Sequence, residues 1–209
     1  MKELLNKIHH ADCLSFMKQL PDKCIDLVLT DPPYGIGADK VNAHSSIRDS
    51  DKWAKKQWDL ERPSQEIFDE IMRISHNQII WGGNYFADLL PASQGWLFWN
   101  KLTRDFSLAD GELAFTSYAK SVRAFDYARN AQGGKTHPTQ KPLLLFKWCL
   151  QYAKLETGIV LDCFSGSGTT ALACHDLGLD FICIEKDADY WKASCERLTQ
   201  HQKQLRLAV

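Results

Sequence analysis

The chain has 209 residues, of which 44% are hydrophobic and 24% are charged, and its formal net charge is −1 at pH 7. This length suits one sizeable core and is short for two domains, so we predict a single domain over residues 1–209. The near-neutral charge excludes a protein that is basic over its whole surface, and no apolar run approaches the roughly 20 residues of a membrane helix.

The start of the chain is too polar to be typical of a secretory signal, so we predict a cytoplasmic protein without a membrane contact. The seven cysteines form no Cys-x-x-Cys pair, and several lie in apolar patterns. This usage indicates reduced core residues rather than disulfides or metal ligands. His44 and His76 have no partner at metal-ligand spacing, and we predict no metal site.

The first predicted elements are a strand from Lys7 to Ala11 and an amphipathic helix that ends before Pro21. Asp12 and Cys13 lie where this strand ends. An aspartate here can cap the helix by accepting hydrogen bonds from its first backbone amides. A ligand contact at the end of the strand is the alternative.

The apolar run from Cys24 to Leu29 predicts a buried strand, and Asp31-Pro32-Pro33-Tyr34 follows it. Pro32 restricts Asp31 to an extended backbone, and the two prolines lack amide donors, so nearby carbonyls are left to accept. The carboxyl edge of a strand in an open α/β sheet is where ligands bind. A carboxylate beside such carbonyls suits an amino group, although a proline turn that closes the strand is the plainer interpretation.

The stretch from Gly35 to Pro63 has no sustained hydrophobic periodicity, which is unusual for a loop of this length in a compact domain. Trp53 and Trp58 argue against simple disorder, because a solvated linker seldom carries two large aromatic side chains. We predict a mobile binding loop over residues 35–63, with packing of the tryptophans on the protein as the alternative.

The middle of the chain predicts a capped helix from Ser64 to about His76, followed by a series of strands. These strands run from Gln78 to Trp81, from Trp96 to Trp99 and from Glu112 to Tyr118, and a stretch from Val122 to Tyr127 is expected to form a hairpin with the last of them. Basic residues then outnumber acidic ones between Lys120 and Lys141, which favours a contact with phosphates over a solvated loop. The run His137-Pro138-Thr139-Gln140-Lys141-Pro142 precedes an apolar helix through Leu150.

The stretch from Ile159 to Thr170 predicts a strand, a glycine turn and the start of a helix. Gly166 and Gly168 also satisfy the dinucleotide fingerprint G-x-G-x-x-A, but Asp162 at the strand end suits an ammonium and would repel a pyrophosphate. Glu185 ends the next predicted strand, where a carboxylate suits ribose hydroxyls. An amphipathic helix from Asp187 to about Arg206 closes the chain.

Asp31-Pro32-Pro33-Tyr34, followed downstream by Phe164-Ser165-Gly166-Ser167-Gly168, resembles the β group of the amino DNA methyltransferases, in which the two motifs occur in this order. The resemblance implies a doubly wound, Rossmann-like α/β fold with a seven-stranded sheet and a permuted motif order. It also implies S-adenosylmethionine as the cofactor, S-adenosylhomocysteine as its product and no metal. No cysteine follows a proline, so the Pro-Cys nucleophile of the ring-carbon cytosine methyltransferases is absent.

The resemblance assigns roles to particular residues of this chain. Asp31, Pro32, Pro33 and Tyr34 are the expected catalytic residues, with the carboxylate and a proline carbonyl accepting from the target amine. The expected cofactor contacts are Asp12, Cys13, Asp31, Lys141, Asp162, Phe164, Gly166, Gly168, Thr169 and Glu185.

The expected reaction is methylation of the N6 amine of adenine in double-stranded DNA, with the base flipped out of the helix. Aspartate at position 31 favours adenine, because the resembled cytosine enzymes more often carry serine there. Methylation of cytosine N4 or of an RNA base is the alternative, and a non-catalytic nucleic-acid-binding protein or a nicotinamide oxidoreductase is a further one. Few residues separate Tyr118 from His137, where the family usually places target recognition, so the loop over 35–63 or a second subunit of a homodimer is expected to supply it.

Overall fold

The computed structural model of the protein describes residues 1–37, 59–103, 109–128 and 140–204. Within these ranges, one sheet contains the strands β1 (Lys7–His10), β2 (Ile25–Thr30), β3 (Ser75–Trp81), β4 (Trp96–Asn100), β5 (Gly111–Thr116), β6 (Arg123–Asp126), β7 (Ile159–Asp162) and β8 (Asp180–Glu185). Their spatial order is β1-β8-β7-β2-β3-β5-β4-β6. The carboxyl ends of the first five strands in this order lie along one edge of the sheet, because these strands are mutually parallel.

The order of the strands reverses between β7 and β2. The chain passes from β2 to its neighbour β3 on one side, and from β7 to its neighbour β8 on the other. In open α/β sheets the crevice at such a switch point is where ligands bind. The loops that follow β2 and β7 are therefore the expected place for a ligand.

Helices cover both faces of the sheet, and they are α1 (Cys13–Met17), α2 (Gln65–Ile74), α3 (Leu143–Ala153), α4 (Thr169–Leu177) and α5 (Ala188–Lys203). On one face, Phe68, Ile71 and Ile74 are buried at helical spacing on α2 and pack with Met17 of α1. On the other face, α3, α4 and α5 bury a second cluster that includes Phe146. The doubly wound α/β fold predicted from the sequence is confirmed.

Two details of the predicted sheet were wrong. Among the described residues the sheet has eight strands rather than seven, and β6 pairs in parallel with β4 instead of forming a hairpin with β5. The reason is that β5 is already paired on both sides, with β3 on one and with β4 on the other. The open edge of β4 is what remains for β6.

Element boundaries differ from the prediction mainly around α2. This helix ends at Ile74 and β3 begins at Ser75, so His76 belongs to the strand. Ser64 occupies the N-cap position of α2, but its side chain makes no capping hydrogen bond. Most of the predicted loop over 35–63, with Trp53 and Trp58, lies outside the described residues, as do Arg129, Lys135 and His137.

The cysteines and the helices bear on two further predictions from the sequence. All seven cysteines are free thiols, and five of them are buried. This agrees with their interpretation as reduced core residues. In the described parts of the chain, no helix combines the length and the apolar character that crossing a membrane requires.

Candidate active site

The loops that follow β2 and β7 meet at the carboxyl edge of the sheet. The two strands are adjacent and parallel, with Val28 opposite Leu161. At their ends the Thr30 hydroxyl donates to Oδ1 of Asp162 over 2.8 Å. The structure thus joins the two stretches that the sequence singled out, although more than a hundred positions separate them along the chain.

A buried aspartate fixes the backbone of the loop after β2. The amides of Tyr34 and Gly35 donate to Oδ1 of Asp59 over 2.6 and 3.0 Å, and Asp59 is 1% exposed. Pro32 and Pro33 carry no amide hydrogen, so these are the first amides available after Asp31. Sequence reasoning missed this role, because Asp59 lies in a stretch without periodicity and nothing in its neighbourhood marks it.

The Asp31 carboxylate belongs to a buried network of four charged side chains. Oδ2 of Asp31 lies 2.5 Å from Nζ of Lys141, which is also 3.0 Å from Oε2 of Glu112. Lys101 closes the network, with its Nζ 2.7 Å from Oε1 of Glu112. Two ammonium groups therefore balance two carboxylates, as buried charges require. Glu112 and Lys101 had no predicted role.

Tyr34 contributes its hydroxyl to the same network. The hydroxyl oxygen lies 2.7 Å from Oδ1 of Asp31 and 3.1 Å from Oε2 of Glu112. The ring stacks on Tyr85, with centroids 4.7 Å apart and planes 15° apart. Gly82 lies against the ring at φ +71°, and a Cβ there would come within 2.1 Å of it. The Tyr34 ring is thus packed against protein on its Tyr85 side.

Burial and charge shift the titration of this network. Burial raises the pKa of Asp31, with the Lys141 ammonium opposing the shift and the Glu112 carboxylate adding to it. Burial alone would raise the pKa of Glu112, but the ammonium groups of Lys141 and Lys101 lower it to about 2. Burial alone would lower the pKa of Lys141, but the two carboxylates raise it to about 12. At neutral pH Glu112 is therefore an anion and Lys141 a cation.

The glycine loop after β7 is held by Glu185, at the end of β8. The amides of Gly166 and Asp187 donate to its two carboxylate oxygens, each over 2.8 Å. Gly166 has φ +49°, and a Cβ there would meet only the Phe164 carbonyl, 4.0 Å away. The backbone at Gly166 is therefore open to close approach by a ligand. Burial raises the pKa of Glu185.

Asp162 links the two loops through neutral donors. It is 3% exposed, and it accepts from the hydroxyls of Thr30 and Thr170 and from the amide of Phe164. Burial raises the pKa of Asp162 to about 6, against these hydrogen bonds. The predicted contact with an ammonium would be a further partner for a carboxylate that already has three donors, and it stays a prediction.

The remaining predicted cofactor residues lie on or beside the same edge. Asp12 caps α1 by accepting from the amide of Ser15 over 3.0 Å, and it follows β1, whose His10 is opposite Glu185. Cys13 is 8% exposed, and burial raises the pKa of its thiol to about 11. Thr169 begins α4, after Gly168, and its hydroxyl accepts from Arg197 over 3.1 Å. No group of three or more potential metal ligands occurs within the described ranges.

Lys120, one of the basic residues considered for phosphate contacts, and Arg62 of the predicted loop are engaged within the protein. Nζ of Lys120 donates to the Tyr152 carbonyl over 2.7 Å and lies 4.6 Å from the centres of the Tyr118 and Tyr152 rings. Arg62, at the end of the predicted loop, pairs with Asp88 over 2.6 Å. These side chains stabilise the fold, and Arg123 on β6 is an exposed basic residue of this region.

Comparison with known proteins identifies relatives of this arrangement. The sequence profile of a DNA methylase family for N6 and N4 amines matches residues 78–196, more than half of the chain. The Type II methyltransferase M.HpaI of Haemophilus parainfluenzae is 25% identical over 237 aligned positions, covering 90% of this chain and 72% of the relative. M.HinfI of Haemophilus influenzae is 26% identical over 255 positions, covering 96% and 70%.

The fold is also similar to that of a solved structure. The crystal structure of M1.HpyAVI in complex with SAM superposes with a TM-score of 0.62 at 24% identity. The match covers 92% of this chain and 98% of the other. This likeness shows a shared fold that extends over nearly all of both proteins.

Proposed function

Because this chain belongs to the DNA methylase family that acts on adenine N6 or cytosine N4, we propose that it methylates adenine N6 in DNA, with S-adenosylmethionine as the methyl donor. The observation that carries the proposal is the junction at Thr30 and Asp162. It joins the residue before Asp31 to the aspartate that ends β7, just before the glycine loop that would hold the donor. We also propose that residues 1–209 act as one catalytic domain, since the described strands share one sheet.

The glycine loop has the chemistry that the methyl donor requires. Asp162 and Glu185 accept from hydroxyls and amides, and neither pairs with a cation among the described residues. S-adenosylmethionine would bring a sulfonium and an ammonium to this negative charge, and it supplies an electrophilic methyl group. We propose that it is held by Asp12, Cys13, Asp31, Lys141, Asp162, Phe164, Gly166, Gly168, Thr169 and Glu185.

Asp31, Pro32 and Tyr34 position the target amine. The amine of adenine is a weak nucleophile, because its lone pair is delocalised into the ring. Hydrogen bonds from its two N–H groups to the Asp31 carboxylate and the Pro32 carbonyl favour a pyramidal nitrogen with the lone pair available. This is positioning and electrostatic stabilisation, and it needs no covalent bond to the enzyme.

The substrate we propose is a base flipped out of double-stranded DNA. A base inside the duplex cannot present its amine to Asp31, and extrusion costs a few kcal/mol. A homodimer and the loop over 35–63 are our candidates for recognising the target sequence. A cytoplasmic location is also proposed, and the free thiols fit a reducing compartment.

Adenine is proposed over cytosine because residue 31 is aspartate. The test is incubation of the purified protein with S-adenosylmethionine and plasmid DNA that lacks adenine and cytosine methylation. The DNA is then digested to nucleosides and analysed by mass spectrometry, with an RNA sample in parallel.

We expect N6-methyladenine in the DNA sample. N4-methylcytosine would establish the alternative substrate, and methylated nucleosides from RNA alone would replace DNA with RNA. Absence of any methylated nucleoside, with S-adenosylhomocysteine still bound, would indicate a non-catalytic nucleic-acid-binding protein.

A further inference from the structure

The acceptor that the proposed reaction needs is already occupied by groups of the protein. Oδ1 of Asp31 accepts from the Tyr34 hydroxyl and Oδ2 from the Lys141 ammonium, over 2.7 and 2.5 Å. Each donor bound to a carboxylate weakens its attraction for the next one. An incoming amine therefore competes with two strong donors for the same side chain.

Glu112 offers both of these donors a second acceptor. Its Oε2 lies 3.1 Å from the Tyr34 hydroxyl and 3.0 Å from Nζ of Lys141. Its Oε1 is held by Lys101 at 2.7 Å, which fixes the carboxylate in place. Glu112 can thus accept from the same hydroxyl and the same ammonium as Asp31.

A tyrosine hydroxyl has one proton and can serve one of the two carboxylates at a time. Turning the proton from Asp31 to Glu112 requires rotation about the C–O bond and no movement of the ring. The ring itself is fixed by Tyr85 and Gly82. Lys141 carries three donor hydrogens and lies within reach of both carboxylates, so it can shift its strongest hydrogen bond without leaving the network.

We propose that Glu112 is a positioning residue that takes over the Tyr34 hydroxyl and the Lys141 ammonium when Asp31 receives the target amine. This inference rests on the proposed function, and it adds a role for a residue outside the acid-proline motif. The transfer moves hydrogen bonds only, so no covalent bond forms or breaks. Without Glu112, a buried ammonium released by Asp31 would have no anion to meet, which is costly.

The titration of Asp31 depends on Glu112 in a defined direction. The charged and titratable groups that face Asp31 are Tyr34 on its own loop, Lys141 before α3, Glu112 on β5 and Asp162 at the end of β7, with Lys101 behind Glu112. The Glu112 carboxylate contributes to the raised pKa of Asp31. Removing that charge lowers the pKa of Asp31 and leaves Asp31 as the carboxylate that pairs with Lys141.

The test compares Glu112→Gln with the wild-type protein and with Glu66→Gln. Glu66, on α2, also pairs with a lysine, but both side chains of this pair are more than half exposed, at 57% for Glu66 and 52% for Lys18. For each protein, the methylation rate on unmethylated plasmid DNA is measured from pH 5 to 9, together with the Kd for S-adenosylhomocysteine and the melting temperature.

We expect Glu112→Gln to lower kcat by about ten- to hundredfold at neutral pH, the range for a hydrogen bond to a charged group. The Kd for S-adenosylhomocysteine should stay within about twofold of the wild type. The acid limb of the rate profile should move to lower pH, because Asp31 then titrates lower. Glu66→Gln should match the wild type in all three measurements.

A double-mutant cycle with Tyr34→Phe separates this role from a structural one. If Glu112 acts by receiving the hydroxyl, the loss caused by Glu112→Gln is smaller in the Tyr34→Phe background. Glu112→Asp, which keeps the charge but withdraws the carboxylate, provides a second variant if Glu112→Gln folds poorly, and we expect it to lose rate with the acid limb unmoved.

The inference is overturned if the wild type methylates DNA while kcat and the acid limb of Glu112→Gln are unchanged. It is also overturned if the loss of rate in both variants follows only the loss of folded protein. A wild type that makes no methylated base under these conditions would instead contradict the proposed function, so the two failures are distinguishable.

Discussion

The carboxylates near the two loops at the carboxyl edge of the sheet have different kinds of partner. After β2, Asp31 and Glu112 are matched by the ammonium groups of Lys141 and Lys101, and the pKa of Glu112 falls to about 2. After β7, Asp162 is matched by hydroxyls and an amide, and its pKa rises to about 6. The pKa of Asp31 is raised as well, so the opposite shifts distinguish Glu112, which meets two ammonium groups, from Asp162, which meets neutral donors.

This difference indicates what each loop is prepared to receive. The charges of the acid-proline loop are balanced within the protein, so that loop suits a neutral group that needs acceptors, such as an amine. The glycine loop keeps negative charge that no described cation neutralises, so it suits a cationic ligand. The two loops together form a site for an amine beside a positively charged methyl donor.

The largest effect is expected from removing the cation of the first loop. Lys141→Met leaves Asp31 and Glu112 close together without the ammonium between them, and breaking a buried ion pair costs about 3–5 kcal/mol. Urea denaturation at pH 7.5 measures the loss of unfolding free energy. Lys18→Met removes the lysine of an exposed pair with Glu66 and should leave the midpoint unchanged.

If Lys141→Met loses no more unfolding free energy than Lys18→Met, the network contributes nothing to stability and the proposed difference between the two loops is wrong. Lowering the pH should reduce the loss of unfolding free energy in Lys141→Met. The pKa of Asp31 is raised, so its protonation removes one of the two neighbouring negative charges.

The glycine loop predicts a pH dependence of the stability of the wild-type protein. The pKa of Asp162 is raised from 3.8 to about 6, so its contribution to stability is complete below pH 3.8 and is lost as the pH rises through about 6. This rise in pKa corresponds to roughly 3 kcal/mol as an upper bound. Asp162→Asn should remove this dependence and raise the melting temperature at pH 8 relative to the wild type.

Asparagine can keep the hydrogen bonds of Asp162, with its oxygen accepting from Thr30 and its amide donating to Thr170. If Asp162 also meets an ammonium, Asp162→Asn should weaken binding of S-adenosylhomocysteine even though the protein is more stable, which isothermal titration calorimetry measures. Higher stability with an unchanged affinity for S-adenosylhomocysteine would show that Asp162 links the two loops and does not bind the ligand.

The smallest expected difference between two variants concerns the packing behind Tyr34. Gly82→Ala introduces a Cβ at φ +71° into the Tyr34 ring, whereas Gly178→Ala does so at φ +70° with nothing within 4 Å. Both should lose about 1 kcal/mol of unfolding free energy from backbone strain, and Gly82→Ala should lose about 1–3 kcal/mol more from overpacking. Equal losses in the two variants would show that the ring yields easily and that Tyr34 is not held in place by this contact.

Much of the fold followed from local sequence signals. Near-continuous apolar runs predicted the buried parallel strands β2 and β7, and the motifs that end them indicated the edge where the loops meet. The partner of β6 could not be predicted, because strand pairing depends on which edges the other strands leave open. The number of seven strands came from the family resemblance and not from the strands predicted along the chain.

The charged partners of Asp31 were the main omission at the site. Glu112 lies at the start of β5 and Lys101 just after β4, and the register between these strands brings Lys101 to Glu112, which also meets Lys141. Register between distant strands is a tertiary property that hydrophobic patterns alone do not determine. Asp59 was missed because it lies in an aperiodic stretch, where only the fold shows its side chain to be buried.

The central claim is that Asp31 holds the amine while the neighbouring glycine loop independently holds the donor. The measurement that tests it most directly is a paired assay of Asp31→Asn, with methylated nucleosides determined by mass spectrometry and the Kd for S-adenosylhomocysteine by calorimetry. We predict that N6-methyladenine disappears while the Kd rises by about tenfold at most, because Asp31 is one of ten residues proposed to hold the donor. Methylation that persists in Asp31→Asn, or a loss that matches an equal loss of S-adenosylhomocysteine binding, would contradict the claim.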